Sequence, residues 1–384
     1  MSDPRILVCS AAVGHGHCRA AEIIARICTG TGANVTRLEA LAFAPAWFKA
    51  IYRSGYLNAI KKLPGAQRWL YRVTDHPCNG RSSGEALERI AMAKFTHAVT
   101  SAAPDLVVCS HFLCARVLCT ARAKGAFNAP IAVCITDQHP HGVWLHTGAD
   151  LFLVASEAAM KRVVESGIPA ERVRVVGIPV APEFGRVDRG AARAELGIGQ
   201  NAPVALLTGG GLGLGGLESA VSGALATDSS VHLIVVCGHA AELKTKVEGL
   251  VGKAGAVATI FGFTDRMPQL MAAADVLVGK PGGLTTAESL ASGLPMVLLS
   301  PIPGQEEANA ALLVSCGAAE LEPDPTKAGA LACRLAIDGA RLGAMRAKIV
   351  GARAAFRDDV VRDELAALAA RGGGSQSRVR AAHA

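Results

Sequence analysis

The stretch Val278–Asn309, VGKPGGLTTAESLASGLPMVLLSPIPGQEEAN, decides how this chain is read. An apolar strand ends at Lys280 and a Pro-Gly-Gly turn follows. Then come a short helix, a second strand and a second turn crowded with polar side chains. Gly282 and Gly283 let a backbone approach a phosphate closely, and a helix opening at Leu284 and Thr285 aims free N–H groups at it. Glu288, about one turn into that helix, is placed to accept hydrogen bonds from a ribose diol. Gln305, Glu306 and Asn309 after the next strand supply the mixed donors and acceptors that a sugar needs. Phosphate, ribose and sugar partners in one short stretch read as a nucleotide-sugar site. The plainer reading, an ordinary helix-entry turn with a solvated glutamate, accounts for the Gly-Gly pair but not for the second polar turn.

Outward from this stretch the same alternation continues. Apolar runs at 204–208, 233–237, 259–263 and 276–278 precede it, and 6–12, 106–111, 131–136, 151–155 and 173–177 form an earlier set, with helical patterns between most of them. Continuous apolar strands alternating with helices predict parallel sheets covered on both faces. The expected fold is therefore α/β, two Rossmann-like doubly wound domains in tandem. The join falls in 177–203, which carries Pro179, Pro182 and Pro203. The boundaries read as 1–180, 181–345, helices at 346–371 that cross back to the first domain, and a Gly-, Ser- and Arg-rich tail at 372–384 expected to be disordered.

Bulk properties narrow the classes. The chain has 384 residues, enough for two cores, and is 51% hydrophobic and 18% charged, which is globular composition. No run of about eighteen apolar residues is present, and the first strand begins so early that no signal peptide is expected. The cysteines are scattered and never form CxxC, so they read as small hydrophobes in a reducing compartment. The net charge of +7 is unevenly placed. Between Glu39 and Asp75 there is no acid, while Lys49, Arg53, Lys61, Lys62, Arg68 and Arg72 stand among Trp47, Tyr52, Tyr56, Trp69 and Tyr71. Cations among aromatics suit an anionic membrane surface. A helical hairpin with its aromatics in the core explains the same window, and a nucleic-acid patch is not expected.

Three further clusters carry chemistry. The first strand runs into Ser10–His17, SAAVGHGH, which lacks the third glycine of a dinucleotide fingerprint and is followed by a strand that no acid cleanly ends. A nicotinamide or flavin site is therefore not expected. The strand at 131–136 leads into Asp137, His139, His141, Trp144 and His146, a set that raises zinc. The spacing of these histidines on a Pro-containing loop lacks the helical HxxxH geometry, and a cleft-lining loop together with His111 is the alternative. After the strand at 204–208, the glycines Gly209, Gly210, Gly211, Gly213, Gly215 and Gly216 open a helix without the Lys of a phosphate-binding P-loop. Their backbone N–H groups suit a diphosphate. The loop Phe261–Met267 holds Phe263 and Thr264, with Asp265 as a candidate helix cap. No Asp-x-Asp pair occurs, so helix dipoles and backbone donors, and no metal, are expected to stabilise a departing diphosphate.

The donor stretch, SAAVGHGHCRAAE at 10–22 and the Asp137, His141, Trp144, His146 series together resemble the monogalactosyldiacylglycerol synthase and processive diacylglycerol glucosyltransferase group of family 28-type glycosyltransferases. The resemblance runs over nearly the whole chain and implies a GT-B fold, two Rossmann-like domains facing a cleft. It implies UDP-hexose as donor and diacylglycerol as acceptor, with His17 as the base that deprotonates the lipid hydroxyl and Glu22 behind it. It puts Gly210, Gly211, Gly213, Phe263, Thr264, Gly282, Gly283, Leu284, Thr285, Glu288, Gln305, Glu306 and Asn309 on the donor. It puts His111, Asp137, His141, Trp144 and His146 on the acceptor side. Trp47, Tyr52, Lys61, Lys62, Trp69 and Tyr71 would meet the membrane, with the enzyme peripheral on its cytoplasmic face and inverting the sugar without a cofactor. The rival implications on the same fold are N-acetylglucosamine transfer to a polyprenyl-linked precursor and UDP-sugar 2-epimerisation.

Overall fold

A computed structural model of the chain describes residues 3–12, 16–50, 52, 75, 83–210, 216–228, 230–352 and 356–382. The chain divides into two compact units: Met1–Pro179 with Pro303–Gln305 and Phe356–Ala384, and Val180–Ile302 with Glu306–Ala355.

The first unit is built on β1 (Arg5–Ser10), α1 (Gly16–Thr29), β2 (Asn34–Glu39), α2 (Ser83–Ala91), α3 (Ala93–Ser101), β3 (Leu106–Cys109), α4 (Phe112–Ala123), β4 (Ile131–Cys134), β5 (Leu151–Val154), α5 (Glu157–Glu165) and β6 (Val173–Val175). Its six strands are parallel in the order β2-β1-β3-β4-β5-β6. Successive side chains point to opposite faces, and the two cores show it. Leu7, Cys9, Val107 and Cys109 pack against α3 and α4, while Ile6, Val8, Leu106 and Val108 pack against α1. The inner strands β3, β4 and β5, buried along their whole length, carry no charge, whereas the edge strands β2 and β6 do.

The second unit begins with α6 (Arg189–Glu195) and continues through β7 (Val204–Thr208), α7 (Leu217–Leu225), β8 (His232–Val236), α8 (Ala241–Ala254), β9 (Ala258–Phe261), α9 (Met267–Ala273), β10 (Val276–Gly279), α10 (Gly283–Ser292), β11 (Met296–Leu298), α11 (Gln305–Ser315), β12 (Ala319–Leu321), α12 (Pro325–Ile337) and α13 (Gly339–Ala352). Its parallel sheet runs β12-β11-β10-β7-β8-β9. Helices α7 and α12 cross so closely that a Cβ on Gly223 would meet the Thr326 carbonyl, and one on Gly329 the Ala220 carbonyl. At the opposite end of this sheet from the Gly-rich turns, Asp275 accepts from the Val204 N–H at 2.9 Å and pairs with Arg189, Arg193 and Arg346 at 2.6, 3.0 and 3.0 Å. Arg193 is fully buried, and its remaining donors reach the carbonyls of Ala273, Gly199 and Gln200. A buried guanidinium is tolerated only with this degree of satisfaction. The cluster ties β7 and β10 to the helices beside them.

The chain then rejoins the first unit through α14 (Asp358–Ala382). Val361, Leu365, Leu368 and Ala369 form an i, i+4, i+7, i+8 stripe buried on the α1 face of the first sheet. Each of the three larger side chains contributes roughly 1.5–3 kcal/mol by burial. The glycines that suggested a disordered tail from residue 372 do not end this helix, which runs on to Ala382. Gly372 is buried where a Cβ would strike the Asp105 carbonyl, so glycine at this position admits the close approach of the helix.

Candidate functional site

In both units the sheet order reverses beside the first strand, between β1 and β3 and between β7 and β10. Ligands of doubly wound sheets bind at the carboxyl ends of strands flanking such a point. The sequence-derived residues gather at those two places.

In the first unit, α1 opens immediately before His17. His17 Nδ1 lies 3.1 Å from the Ser110 carbonyl, just beyond β3, and 2.9 Å from Thr136 Oγ1, just beyond β4. Burial pushes the His17 pKa down to about 4, against the raising effect of the Ser110 carbonyl bond. The ring is therefore neutral at ordinary pH, and the partial positive charge of a helix N-terminus acts in the same direction. His111 lies edge-on to it with ring centroids 4.7 Å apart, and Trp144 is 5.9 Å away. His111 caps α4, its Nδ1 accepting from the Leu113 N–H at 3.1 Å, and burial holds its pKa well below the usual histidine value.

Asp137 is buried beside them. Trp144 Nε1–H donates to its carboxyl at 2.8 Å and the Gln305 amide donates to its other oxygen. Burial nevertheless pushes its pKa up to about 7. His17, His111, Asp137, Trp144 and Gln305 thus form one connected cluster within the first unit. His141 and His146, expected beside them, are turned into their own loop: each accepts a backbone N–H two residues on, from Val143 at 3.2 Å and Gly148 at 3.1 Å. Asp75 steadies the same loop by accepting from the Gly142 N–H at 2.7 Å and pairing with Arg162 at 3.0 Å. Among the described residues no group of three or more His, Cys, Asp or Glu side chains converges as a metal site.

Several expected roles change. Glu22 stands five residues after His17 on α1, about 140° around a helix of 3.6 residues per turn, and pairs with Arg19 at 2.8 Å and Arg37 at 3.8 Å. It is a surface ion-pair residue on another face from the ring. Tyr52, expected at the membrane, stacks on Phe48 at 5.3 Å and packs against the core beside Phe112. Trp47 is 44% exposed. Lys61, Lys62, Trp69, Tyr71, Gly211 and Gly213 lie outside the described residues. An acid does end the second strand: Glu39 closes β2, but its carboxylate accepts from the Ala12 and Leu41 N–H groups at 2.9 and 3.0 Å, which anchors the first turn instead of a ribose.

In the second unit, Gly210 takes a left-handed conformation (φ 66°) and its N–H donates to Thr208 Oγ1 at 3.1 Å, the start of the Gly-rich turn after β7. After β10, Gly282 is the N-cap of α10 with no side-chain cap, so that Gly283, Leu284 and Thr285 form a first turn carrying backbone donors. Glu288 lies half-buried on the same helix. Asn309 is fully buried and does not present its amide to a sugar; Nδ2 donates to the Pro281 carbonyl at 2.8 Å, pinning the Pro-Gly-Gly turn from behind. Glu306 accepts from the Ile302 N–H at 2.7 Å, and burial raises its carboxyl while Lys280 draws it down. Phe263 is 53% exposed and stacks on His239 with ring centroids 4.2 Å apart. Beyond it Thr264 Oγ1 accepts from the Arg266 N–H at 3.1 Å, and α9 starts after Arg266 with no side-chain cap, so the cap expected of Asp265 is not made.

Sequence reasoning passed over Ser110, Thr136 and Lys280. Each lies within two residues of the end of an apolar strand, and that position was the available signal.

Two family models match in chain order: one described as monogalactosyldiacylglycerol (MGDG) synthase over residues 17–180, and one described as glycosyltransferase family 28 C-terminal domain over residues 204–328. A processive diacylglycerol beta-glucosyltransferase of Staphylococcus epidermidis is 24% identical, spanning 92% of this chain and 90% of its own. The protein of that name from Bacillus pumilus is 27% identical over 83% of each chain. Among solved structures, MurG of Acinetobacter baumannii matches with a TM-score of 0.60 at 15% identity, covering 94% of this chain and 99% of that one. Such a likeness shows the fold, GT-B. With one model on each unit and relatives spanning nearly the full length, the chain is similar throughout to monogalactosyldiacylglycerol synthases and processive diacylglycerol glucosyltransferases.

Proposed function

We propose that this protein is an inverting glycosyltransferase that moves a hexose from a UDP-sugar to the hydroxyl of 1,2-diacylglycerol. His17 removes the proton from the lipid hydroxyl through Nε2. The freed oxygen attacks the anomeric carbon as the bond to the diphosphate breaks, and the electron pair leaves with UDP. The observation that carries this reading is the state of His17: neutral, with Nδ1 engaged by the Ser110 carbonyl, so that its other nitrogen keeps a lone pair. The relatives' names supply the acceptor and the donor class.

On the donor side the first turn of α10 and the Gly-rich turn after β7 would hold the diphosphate with backbone N–H groups. Glu288 would take the ribose and Phe263 and Thr264 the base, with Glu306 toward the sugar. Backbone donors and helix dipoles carry the leaving-group charge in this reading, without a metal. Exposed Trp47 and the basic window after it would seat the enzyme peripherally on an anionic, cytoplasmic membrane face. Among the described residues no helix is long and apolar enough to cross a membrane.

The test is incubation with diacylglycerol vesicles and a panel of UDP-sugars, with and without EDTA, followed by lipid analysis. A β-hexosyl diacylglycerol whose yield is unchanged by EDTA is expected. Product on a polyprenyl acceptor only, or a 2-epimerised nucleotide sugar with no glycolipid, overturns the reading.

A further inference from the structure

The contacts at His17 Nδ1 determine where the ring's proton is. A carbonyl oxygen only accepts, so the 3.1 Å contact with Ser110 requires the proton on Nδ1. Thr136 Oγ1, 2.9 Å from the same nitrogen, is then a second acceptor of that proton. Ser110 also holds the backbone of the residue it serves: its hydroxyl donates to the His17 carbonyl at 2.9 Å. The neighbouring ring is fixed in the opposite sense. His111 Nδ1 accepts from the Leu113 N–H, so neutral His111 carries its proton on Nε2. Two neutral imidazoles in edge contact thus hold opposite tautomers, each set by backbone groups.

We propose that Thr136 is a positioning residue for the base: with the Ser110 carbonyl it holds His17 in the Nδ1–H tautomer and leaves the Nε2 lone pair for the acceptor hydroxyl. This rests on the reading of His17 as general base. When the hydroxyl proton arrives at Nε2 the ring becomes an imidazolium, and its Nδ1–H, still shared by Ser110 and Thr136, becomes a charge-assisted donor. Those bonds strengthen as the transition state forms, so their loss falls on kcat and not on substrate binding. Ser110 contributes a backbone oxygen that no side-chain substitution removes. Thr136 contributes a side-chain oxygen, which makes it the testable half of the pair.

Three variants decide the matter. Thr136→Val keeps the shape and removes the acceptor; it is expected to lower kcat about 10- to 100-fold, as loss of one hydrogen bond to a charged group does, with both KM values within about 2-fold. Thr136→Ser is expected to recover most of the rate. In protein labelled with 15N-histidine, NMR should show Nδ1 protonated in the wild-type His17 ring and the Nε2–H tautomer gaining population in Thr136→Val. Wild-type kcat in Thr136→Val, an equal loss in Thr136→Ser, or an unmoved tautomer overturns the positioning role. His17→Ala is measured beside them: wild-type transfer by that variant overturns the base reading itself, whereas an inactive His17→Ala with a fully active Thr136→Val overturns only the role of Thr136.

Discussion

The turn after β1 and the turn after β10 each flank the point where the order of their own sheet reverses, yet they are furnished in opposite ways. The first delivers a side chain, His17, whose proton is placed by Ser110 and Thr136, and the turn is anchored by the Glu39 carboxylate on the Ala12 N–H. The second delivers bare backbone at Gly282 and Gly283, and its anchor, Asn309, grips the Pro281 carbonyl from inside the core. A base that stays neutral needs a defined tautomer, which the Ser110 carbonyl supplies, and a lowered pKa, which burial supplies. A diphosphate needs several donors in fixed directions, which a helix start supplies with no side chain at all. In the proposed reading, one architecture therefore yields a base where the turn carries a ring and an anion cradle where it carries glycine.

The largest effect should come from removing the ring. His17→Ala is expected to lower kcat by about 10³-fold, within the range of general-base loss, while the protein keeps its affinity for UDP-sugar. Steady-state rates beside equilibrium UDP binding check this, and a parallel loss of UDP binding would break the division of labour between the two turns. In the wild type the acid limb of kcat should fall near pH 4, where His17 protonates, and not near the ordinary histidine value. Next in size is Asn309→Ala. Freed from its anchor, the Pro281 turn should raise the KM for UDP-sugar about 10-fold with an unchanged pH profile, and cost roughly 1–3 kcal/mol of stability from the Pro281 carbonyl left unpaired in the core. A change confined to kcat would contradict it.

How much of this was legible beforehand follows the same line. The doubly wound sheets and the places of the glycines after β7 and β10 were readable because strand–turn–helix order and glycine placement are local properties of sequence, whereas His17 was singled out only by the resemblance of its motif. What the sequence hid was direction. Gln305 and Asn309 lie in one polar segment, yet the Gln305 amide meets Asp137 while Asn309 faces the core. His141 and His146 share a loop with Asp137, yet they hydrogen-bond their own backbone. Tyr52 lies among basic residues, yet it packs on Phe48. Ser110 and Thr136 were invisible as a pair because β3 and β4 bring them together from distant positions. Gly372 was read with the Gly-, Ser- and Arg-rich tail because a glycine that admits a neighbouring carbonyl looks, in sequence, like one in a disordered segment.

Asp137 offers a smaller and pH-dependent effect. Its folded pKa is raised to about 7 by burial, whereas an unfolded aspartate titrates near ~3.9. The neutral form is the one the fold accommodates, so its stabilising contribution is complete below about pH 4, declines as pH rises toward 7, and is constant above that. Unfolding free energies of wild type and Asp137→Asn should therefore converge or cross as pH rises through this window, by up to ~1.4 kcal/mol per pH unit. Parallel curves from pH 4 to 8 would show that Asp137 does not titrate there, and the first unit's cluster would then rest on a permanent carboxylate.

The smallest expected effect sharpens the comparison most cheaply. Glu22 follows His17 on the same helix and had looked like its partner, as an acid behind a catalytic histidine often is. Helix geometry sends it elsewhere, to Arg19 and Arg37 on an exposed face, with its side chain 38% accessible. Exposed pairs of this kind are worth about 0–1 kcal/mol. Glu22→Gln should therefore leave kcat within about 2-fold, leave its acid limb in place, and shift stability by less than about 1 kcal/mol. Paired rate–pH curves and urea unfolding check both parts. A large loss of kcat with a displaced acid limb would mean that a carboxylate, not the Ser110 carbonyl and Thr136, sets the histidine's proton, and the contrast between the two turns would have to be redrawn around it.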